Sequence, residues 1–98
     1  MPITTSLAAV VYASALAGAA ARAQHRRRLA ALRGLDGVIE LKVGEDVVRS
    51  PRSYDTGLAV TFADRAALDA YQTDDRHVPV AQYGVSLSEH IVAVDFEI

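Results

Sequence analysis

The first half of the chain carries two strand-like apolar segments separated by a helix-like one. Residues 6–13 are mainly apolar and include adjacent valines, a pattern typical of a buried strand. Residues 14–33 are rich in Ala, Leu and Arg, which predicts a helix that Ser14 caps and Gly34 ends. Residues 38–43 contain β-branched side chains and alternate imperfectly, which predicts a second strand.

The second half begins with a more regular strand and a helix. Residues 54–62 alternate between apolar and small or polar side chains, which predicts a half-buried strand. The side chains predicted to share one face of it are Tyr54, Thr56, Leu58, Val60 and Phe62. Asp64 then stands where it would cap a helix that carries Tyr71 three residues after Leu68.

An acidic pair interrupts that helix. Asp74 and Asp75 are placed to end it and to cap a second helical segment that begins near Arg76. We expect Gly84 to interrupt or end the second segment, because glycine weakens a helix interior. Residues 91–98 then predict a final strand, on which the apolar positions of one face are Val92, Val94 and Phe96.

The order of elements is strand, helix, strand, strand, helix, strand. It predicts a ferredoxin-like βαββαβ fold of the α+β class, with an antiparallel four-stranded sheet and helices on one face. We expect residues 1–98 to form a single domain. The other face of the sheet would stay bare, and a second copy would cover it, so we predict a symmetric homodimer.

Composition and charge narrow the classes of function. The chain has 98 residues, of which 51% are hydrophobic and 22% charged, and a net charge of −2. This weak charge does not favour a nucleic-acid or an anionic-membrane partner, and we expect neither. The N-terminal run LAAVVYASALAGAAARA resembles the core of a signal peptide, but no Lys or Arg precedes it and it is too short to span a bilayer. We therefore interpret it as part of the fold and expect a cytoplasmic protein.

Metal and cofactor sites are not indicated by any motif. The sequence has no cysteine, no His-x-x-His pair and no glycine-rich phosphate loop, so we expect neither a metal nor a cofactor. The arginines at positions 26, 27, 28 and 33 are interpreted as a solvated face near a helix C-terminus, where cations suit the helix dipole.

Histidine and tyrosine supply the candidate chemistry. Tyr71 and His77 would not share a face of one unbroken helix, but the acidic break between them allows both to point at one site. His77 is then a candidate proton shuttle, or else a structural histidine at a helix start, and Tyr71 is either a site residue or core. His25 falls on one helical stripe with Leu29 and Leu32, so we expect it to face the sheet and enter a pocket, although a solvated position in the basic run is the alternative.

Two segments of the second half resemble a known family. The run YDTGLAVTFADRAALDAYQTDDRHVPV and the closing VAVDFEI are similar to the stress-responsive dimeric α+β barrel (Dabb) domains. In olivetolic acid cyclase, a plant member that closes a linear poly-β-ketone, a tyrosine and a histidine stand at the spacing of Tyr71 and His77. The resemblance places two other pocket histidines of the cyclase at Ser6 and Thr56, and an aromatic pocket residue near His25.

The resemblance implies a function as well as a fold. It implies a cofactor-free enzyme of the polyketide-cyclase or lyase type, in which His77 moves a proton and Tyr71 orients it or polarises a carbonyl. The ligand would be an apolar, carbonyl-bearing small molecule, and the residues expected to bind it are His25, Ser6, Thr56, Tyr12 and Leu58. Two alternatives stay open, namely a non-catalytic stress-responsive dimeric ligand-binding domain and a cofactor-independent monooxygenase.

Overall fold

The structure is a computed structural model, and it describes residues 7–15, 18–50 and 53–97, the first of these ranges by its backbone alone. Four strands and three helices follow one another in this part of the chain. The strands are β1 (Leu7–Ala15), β2 (Val38–Glu45), β3 (Thr56–Phe62) and β4 (Ser88–Glu97). The helices are α1 (Ala19–Ala30), which a short 3₁₀ turn over Ala31–Gly34 extends, α2 (Arg65–Thr73) and α3 (His77–Leu87).

The strands form one antiparallel sheet in the order β2-β3-β1-β4. This is the predicted ferredoxin-like arrangement, and the prediction of the fold class is confirmed. Thr56 at the start of β3 pairs with Glu45 of β2 on one side and with Ala13 of β1 on the other. Residues that pair directly across antiparallel strands share a face of the sheet, so this register decides which positions lie under the helices.

The helices cover the face of the sheet to which alternate residues of β3 point. Along β3 the residues Thr56, Leu58, Val60 and Phe62 are all buried. They join a core whose other members are Leu29, Leu32, Leu35, Leu41, Leu68 and Tyr71. The predicted shared face of this strand is therefore present from Thr56 to Phe62, and it carries the hydrophobic contact that attaches the helices to the sheet.

The first helix begins later than predicted, and the expected cap at Ser14 is wrong. Ser14 pairs with His90 of β4, and the strand continues to Ala15, so the helix begins at Ala19 with Gly18 in the capping position. Alanine favours a helix locally, but backbone pairing with β4 overrides that preference in this run.

The break between α2 and α3 lies where it was predicted and Asp74 makes it, but the capping position of α3 is Arg76 and not one of the two aspartates. Asp64 caps α2 by accepting a hydrogen bond from the backbone amide of Ala67 at 2.8 Å. Asp74 leaves the helical conformation with a ψ of 136°, and its carboxylate accepts from the backbone amide of Arg76 at 2.7 Å. Its carbonyl oxygen accepts from the amide of His77 at 2.9 Å, which begins α3 in a new direction.

The second face of the sheet is not covered by any of the described helices. On β4, Val92, Val94 and Phe96 are 44%, 61% and 47% exposed, and they pair with alternate positions of β1. Large apolar side chains grouped on a flat face are typical of a surface that meets another protein. Among the described helices, none has the length and apolar character needed to cross a membrane.

Candidate functional site

A partly enclosed cavity of about 220 Å³ lies between α1, α3 and the covered face of the sheet. Its apolar walls come from both helices and from β3 and β4, and they consist of Leu29, Leu58, Ala81, Gly84, Val85, Ile91 and Ala93. Its polar lining consists of His25, Thr56 and His77. An apolar cavity with a few convergent polar groups is the usual form of a small-molecule site.

His25 reaches the cavity from α1. The side chain is only 7% exposed, as expected from the helical stripe that it shares with the buried Leu29 and Leu32. Burial lowers the pKa of His25 below its ordinary 6.5, and the positive charge of Arg26 lowers it further. The imidazole is therefore neutral at neutral pH and has one nitrogen that accepts a proton.

Gly84 lies against the His25 ring, and the expectation that it ends α3 is wrong. The helix continues through Gly84 to Leu87. A β-carbon at position 84 would lie 2.5 Å from Nε2 of His25, which is too close for two heavy atoms that are not bonded. Glycine at this position therefore lets α3 approach the imidazole of α1, at the cost of a less stable helix interior.

Thr56 is the buried hydroxyl of the cavity, 6% exposed. Its Oγ1 accepts a hydrogen bond from Nη1 of Arg26 at 3.3 Å, while Nη2 of the same guanidinium lies 3.4 Å from a carboxylate oxygen of Glu45. The interpretation of the arginine run as a solvated face is therefore wrong for Arg26, whose side chain is 17% exposed. It holds for Arg27 and for Arg28, whose guanidinium lies 4.1 Å from the ring centre of Tyr83.

His77 is the first residue of α3 and reaches the cavity from its other side. Its Nδ1 lies 3.3 Å from the carbonyl oxygen of Gln72 in the last turn of α2. A carbonyl oxygen only accepts, so this contact requires the proton on Nδ1 and leaves Nε2 as the proton acceptor of the neutral ring.

Tyr71 contacts His77 but does not line this cavity. The ring centres of Tyr71 and His77 are 4.2 Å apart. The Tyr71 ring also contacts the buried ring of Phe62, with 5.0 Å between their centres. The Tyr71 hydroxyl is buried with no hydrogen-bond partner among the described residues, and burial raises its pKa to about 12. The phenol is therefore protonated at neutral pH, and the Tyr71 ring supports the imidazole of His77 through a tilted contact, with 37° between the ring planes.

The remaining predicted binding residues divide into three cases. Leu58 lines the cavity. Tyr12 pairs with Gly57 and with Val92, out of phase with Leu58, so the register assigns position 12 to the uncovered face and we remove it from the site. Ser6 lies outside the described residues.

Two residues of the site were missed by sequence reasoning. Gly84 carried a readable signal, because a glycine inside an otherwise helical run often marks a close approach of two backbones. Arg26 carried none, since its position in a basic run gave no sign that it turns toward the sheet. Among the described residues, no group of three or more metal-binding side chains is brought together.

Comparison with known proteins identifies the fold and the family. The model of the stress-responsive A/B barrel domain matches residues 13–98. Among solved structures, a dimeric ferredoxin-like protein of unknown function from Jannaschia sp. CCS1 is 27% identical with a TM-score of 0.80, over 95% of this chain and 99% of that one. A second such protein, from Thermobifida fusca, is 15% identical with a TM-score of 0.89, over 97% and 92% of the two chains.

A relative with a named activity shares the same fold. The hydroxynitrile lyase from Passiflora edulis is 14% identical with a TM-score of 0.86, over 98% of this chain and 95% of that one. No curated protein matches the sequence significantly. The family match spans most of the chain and agrees with the observed topology, so the chain belongs to the stress-responsive A/B barrel domain family, Dabb.

Proposed function

We propose that this protein is a cofactor-free enzyme of the lyase type that moves a proton on an apolar, carbonyl-bearing small molecule. The observation that carries the proposal is the cavity between α1, α3 and the sheet, where two imidazoles and one hydroxyl interrupt otherwise apolar walls. The walls favour an apolar ligand, and neutral imidazoles are the side chains best suited to proton transfer near pH 7.

The proposed step uses His77 as the base. Nε2 of His77 takes a proton from the carbon next to the ligand carbonyl, and the electron pair of that C–H bond forms a carbon–carbon double bond as the carbonyl becomes an enolate. The imidazolium then returns the proton after a carbon–carbon bond has formed or broken. His25 is neutral and lies across the cavity, where it orients the ligand.

Several observations support this type of chemistry. The contact between Nδ1 of His77 and the Gln72 carbonyl leaves the other ring nitrogen as a base, and the adjacent Tyr71 ring limits the rotation of the imidazole. The fold also accommodates lyase chemistry in the Passiflora edulis enzyme. Ring closure of a polyketide is a narrower version of the same proposal, since it also begins with loss of a proton next to a carbonyl.

The proposed assembly is a homodimer. The uncovered face of the sheet exposes Val92, Val94 and Phe96, and a second copy would bury these side chains at an isologous interface. The relatives from Jannaschia sp. CCS1 and Thermobifida fusca are dimeric proteins of the same fold, which supports the proposal.

A specific observation favours a second candidate, a dimeric ligand-binding protein without turnover. Tyr71 was expected to orient the proton transfer or polarise a carbonyl, but its hydroxyl is buried and Tyr71 does not line the cavity. A cavity that lacks this group still binds a ligand, but it has one fewer donor for a developing negative charge.

Exchange of carbon-bound hydrogen separates the two candidates without knowledge of the natural substrate. The probe is 2-indanone, a rigid apolar ketone, and the measurement is the rate at which its protons next to the carbonyl are replaced in D₂O, followed by ¹H NMR. We expect the wild type to accelerate exchange, and His77→Ala to lose roughly 10²- to 10⁴-fold of that acceleration, as expected for removal of a general base.

The matched control is His90→Ala, because His90 is an exposed histidine of β4 outside the cavity lining. It should exchange at the wild-type rate. Binding of 2-indanone without accelerated exchange would support the ligand-binding candidate, and equal exchange by wild type and His77→Ala would remove His77 from the mechanism.

A further inference from the structure

The Arg26 side chain links Thr56, in the cavity lining, to Glu45 on the edge strand β2. Glu45 and Thr56 pair directly across β2 and β3, and the two terminal nitrogens of the Arg26 guanidinium reach one side chain each. A planar guanidinium holds such a two-point contact in a fixed direction. Its side chain is 17% exposed and that of Glu45 is 61% exposed, so the cation is mostly withdrawn from water while its counter-ion is not.

The contact with Arg26 decides how Thr56 uses its hydroxyl. A guanidinium only donates, so Oγ1 of Thr56 is the acceptor in this hydrogen bond, and the hydroxyl proton is left to point elsewhere. No acceptor for that proton is found among the described residues. Thr56 is buried and lines the cavity. Since none of the described side chains accepts this proton, it can point into the cavity.

We propose that Thr56 and Arg26 form the oxygen-binding end of the cavity. The Thr56 hydroxyl donates to the carbonyl oxygen of the ligand, and Arg26 is a positioning residue that fixes the hydroxyl as a donor and adds positive potential behind it. This inference rests on the proposed function and specifies the orientation of the ligand, with its oxygen at the start of β3 and its apolar part along Leu58 and Ala93.

The arrangement also fits the chemistry of the proposed step. An enolate carries its negative charge on the oxygen, and a donor supported by a cation stabilises that charge more than the neutral carbonyl. Burial lowers the pKa of His25 and the positive charge of Arg26 lowers it further, so the cavity wall next to Thr56 is not charged by His25. The Thr56 hydroxyl, held by Arg26, thereby replaces at the polar end of the site the donor that the core position of Tyr71 removes.

The test compares two ligands that differ by one carbonyl group, which replaces a CH₂ group. The probes are 2-indanone and indane, which have the same ring skeleton, and dissociation constants are measured by ¹H–¹⁵N NMR titration. We expect the wild type to bind 2-indanone roughly 3- to 10-fold more tightly than indane, the range that one hydrogen bond contributes. Thr56→Val keeps the shape of the side chain without the hydroxyl, and it should bring the ratio to about 1 by weakening 2-indanone binding alone.

Arg26 is tested by a readout that a purely structural role would not change. Arg26→Met should lower the ratio of the two affinities and leave indane binding unchanged, and Arg26→Lys should restore part of the ratio. The matched control is Arg27→Met, since Arg27 is an exposed neighbour whose guanidinium contacts Gln24. Thr56→Ser keeps the hydroxyl and should keep the ratio of the two affinities. If Thr56→Val does not fold, this variant still separates the effect of the hydroxyl from the effect of side-chain packing.

The outcomes separate this inference from the function on which it rests. Equal affinities of the wild type for both probes, or a ratio that survives Thr56→Val, would overturn the oxygen-binding end and leave the cavity as a ligand site. Failure of the wild type to bind either probe would overturn both proposals.

Discussion

Gly84→Ala tests the packing that builds the cavity, because it adds one methyl group where α3 meets His25. The added carbon would lie 2.5 Å from Nε2, 3.0 Å from Cε1 and 3.4 Å from Cδ2 of the imidazole. The obstacle is the far end of a side chain with two rotatable bonds, so we expect the ring to move by roughly 1 Å toward the cavity and the backbone of α3 to stay in place.

Two opposing contributions set the size of the effect. Alanine stabilises a helix interior by about 1 kcal/mol relative to glycine. Forcing an extra methyl group into a packed contact costs between about 1 and 3 kcal/mol. The expected result is a loss of between about 0 and 2 kcal/mol in the free energy of unfolding, instead of the gain that an unobstructed helix would show.

The assay is urea unfolding at one fixed protein concentration in a double-mutant cycle with His25→Ala. In the wild-type background Gly84→Ala should be neutral or destabilising, and in the His25→Ala background it should stabilise by about 1 kcal/mol, since the obstacle is gone. Gly34→Ala is the matched control, because no heavy atom lies within 4 Å of a β-carbon built there. Equal stabilisation by Gly84→Ala in both backgrounds would refute the proposed contact.

Two further predictions concern the buried imidazole and the uncovered face. Since the pKa of His25 is lowered from 6.5 in the folded chain, the unfolded chain binds more protons between the lowered pKa and pH 6.5. The free energy of unfolding should therefore fall as the pH falls through this window. Urea unfolding at a series of pH values measures this dependence, and His25→Gln should flatten it. An unchanged slope of unfolding free energy against pH in His25→Gln would contradict the assignment of this dependence to His25. In sedimentation velocity the wild type should be a dimer and the Val94→Glu variant a monomer. The control Val48→Glu, at an exposed position of the β2–β3 connection, should stay dimeric. A dimeric Val94→Glu variant would show that another surface makes the dimer contact.

The fold was predictable because its signals are local and consistent with one another. The alternation over β3, the Asp64 cap and the acidic break at Asp74 each depend on neighbouring residues only, and all three are present in the structure. The start of α1 was not predictable in the same way. The alanines before it favour a helix locally, and only the pairing with β4 shows that they belong to a strand.

The candidate site was partly predictable for the same reason. The helical stripe that places His25 beside Leu29 follows from the spacing of these residues, and so does the shared face of Thr56 and Leu58. The Arg26 side chain reaches Thr56 because of the distance between α1 and the start of β3. The periodicity of the sequence does not predict that distance. The roles of these residues in catalysis and the location of the protein in the cell stay predictions.

The position of a bound ketone tests the central claim most directly. The measurement is a set of intermolecular nuclear Overhauser effects between 2-indanone and the protein in a ¹³C-filtered NMR experiment. We predict contacts from the ligand to the rings of His25 and His77 and to the methyl groups of Leu58, all on the cavity wall. Contacts confined to Val92, Val94 and Phe96 on the uncovered face, or contacts to no side chain of the cavity, would contradict the account.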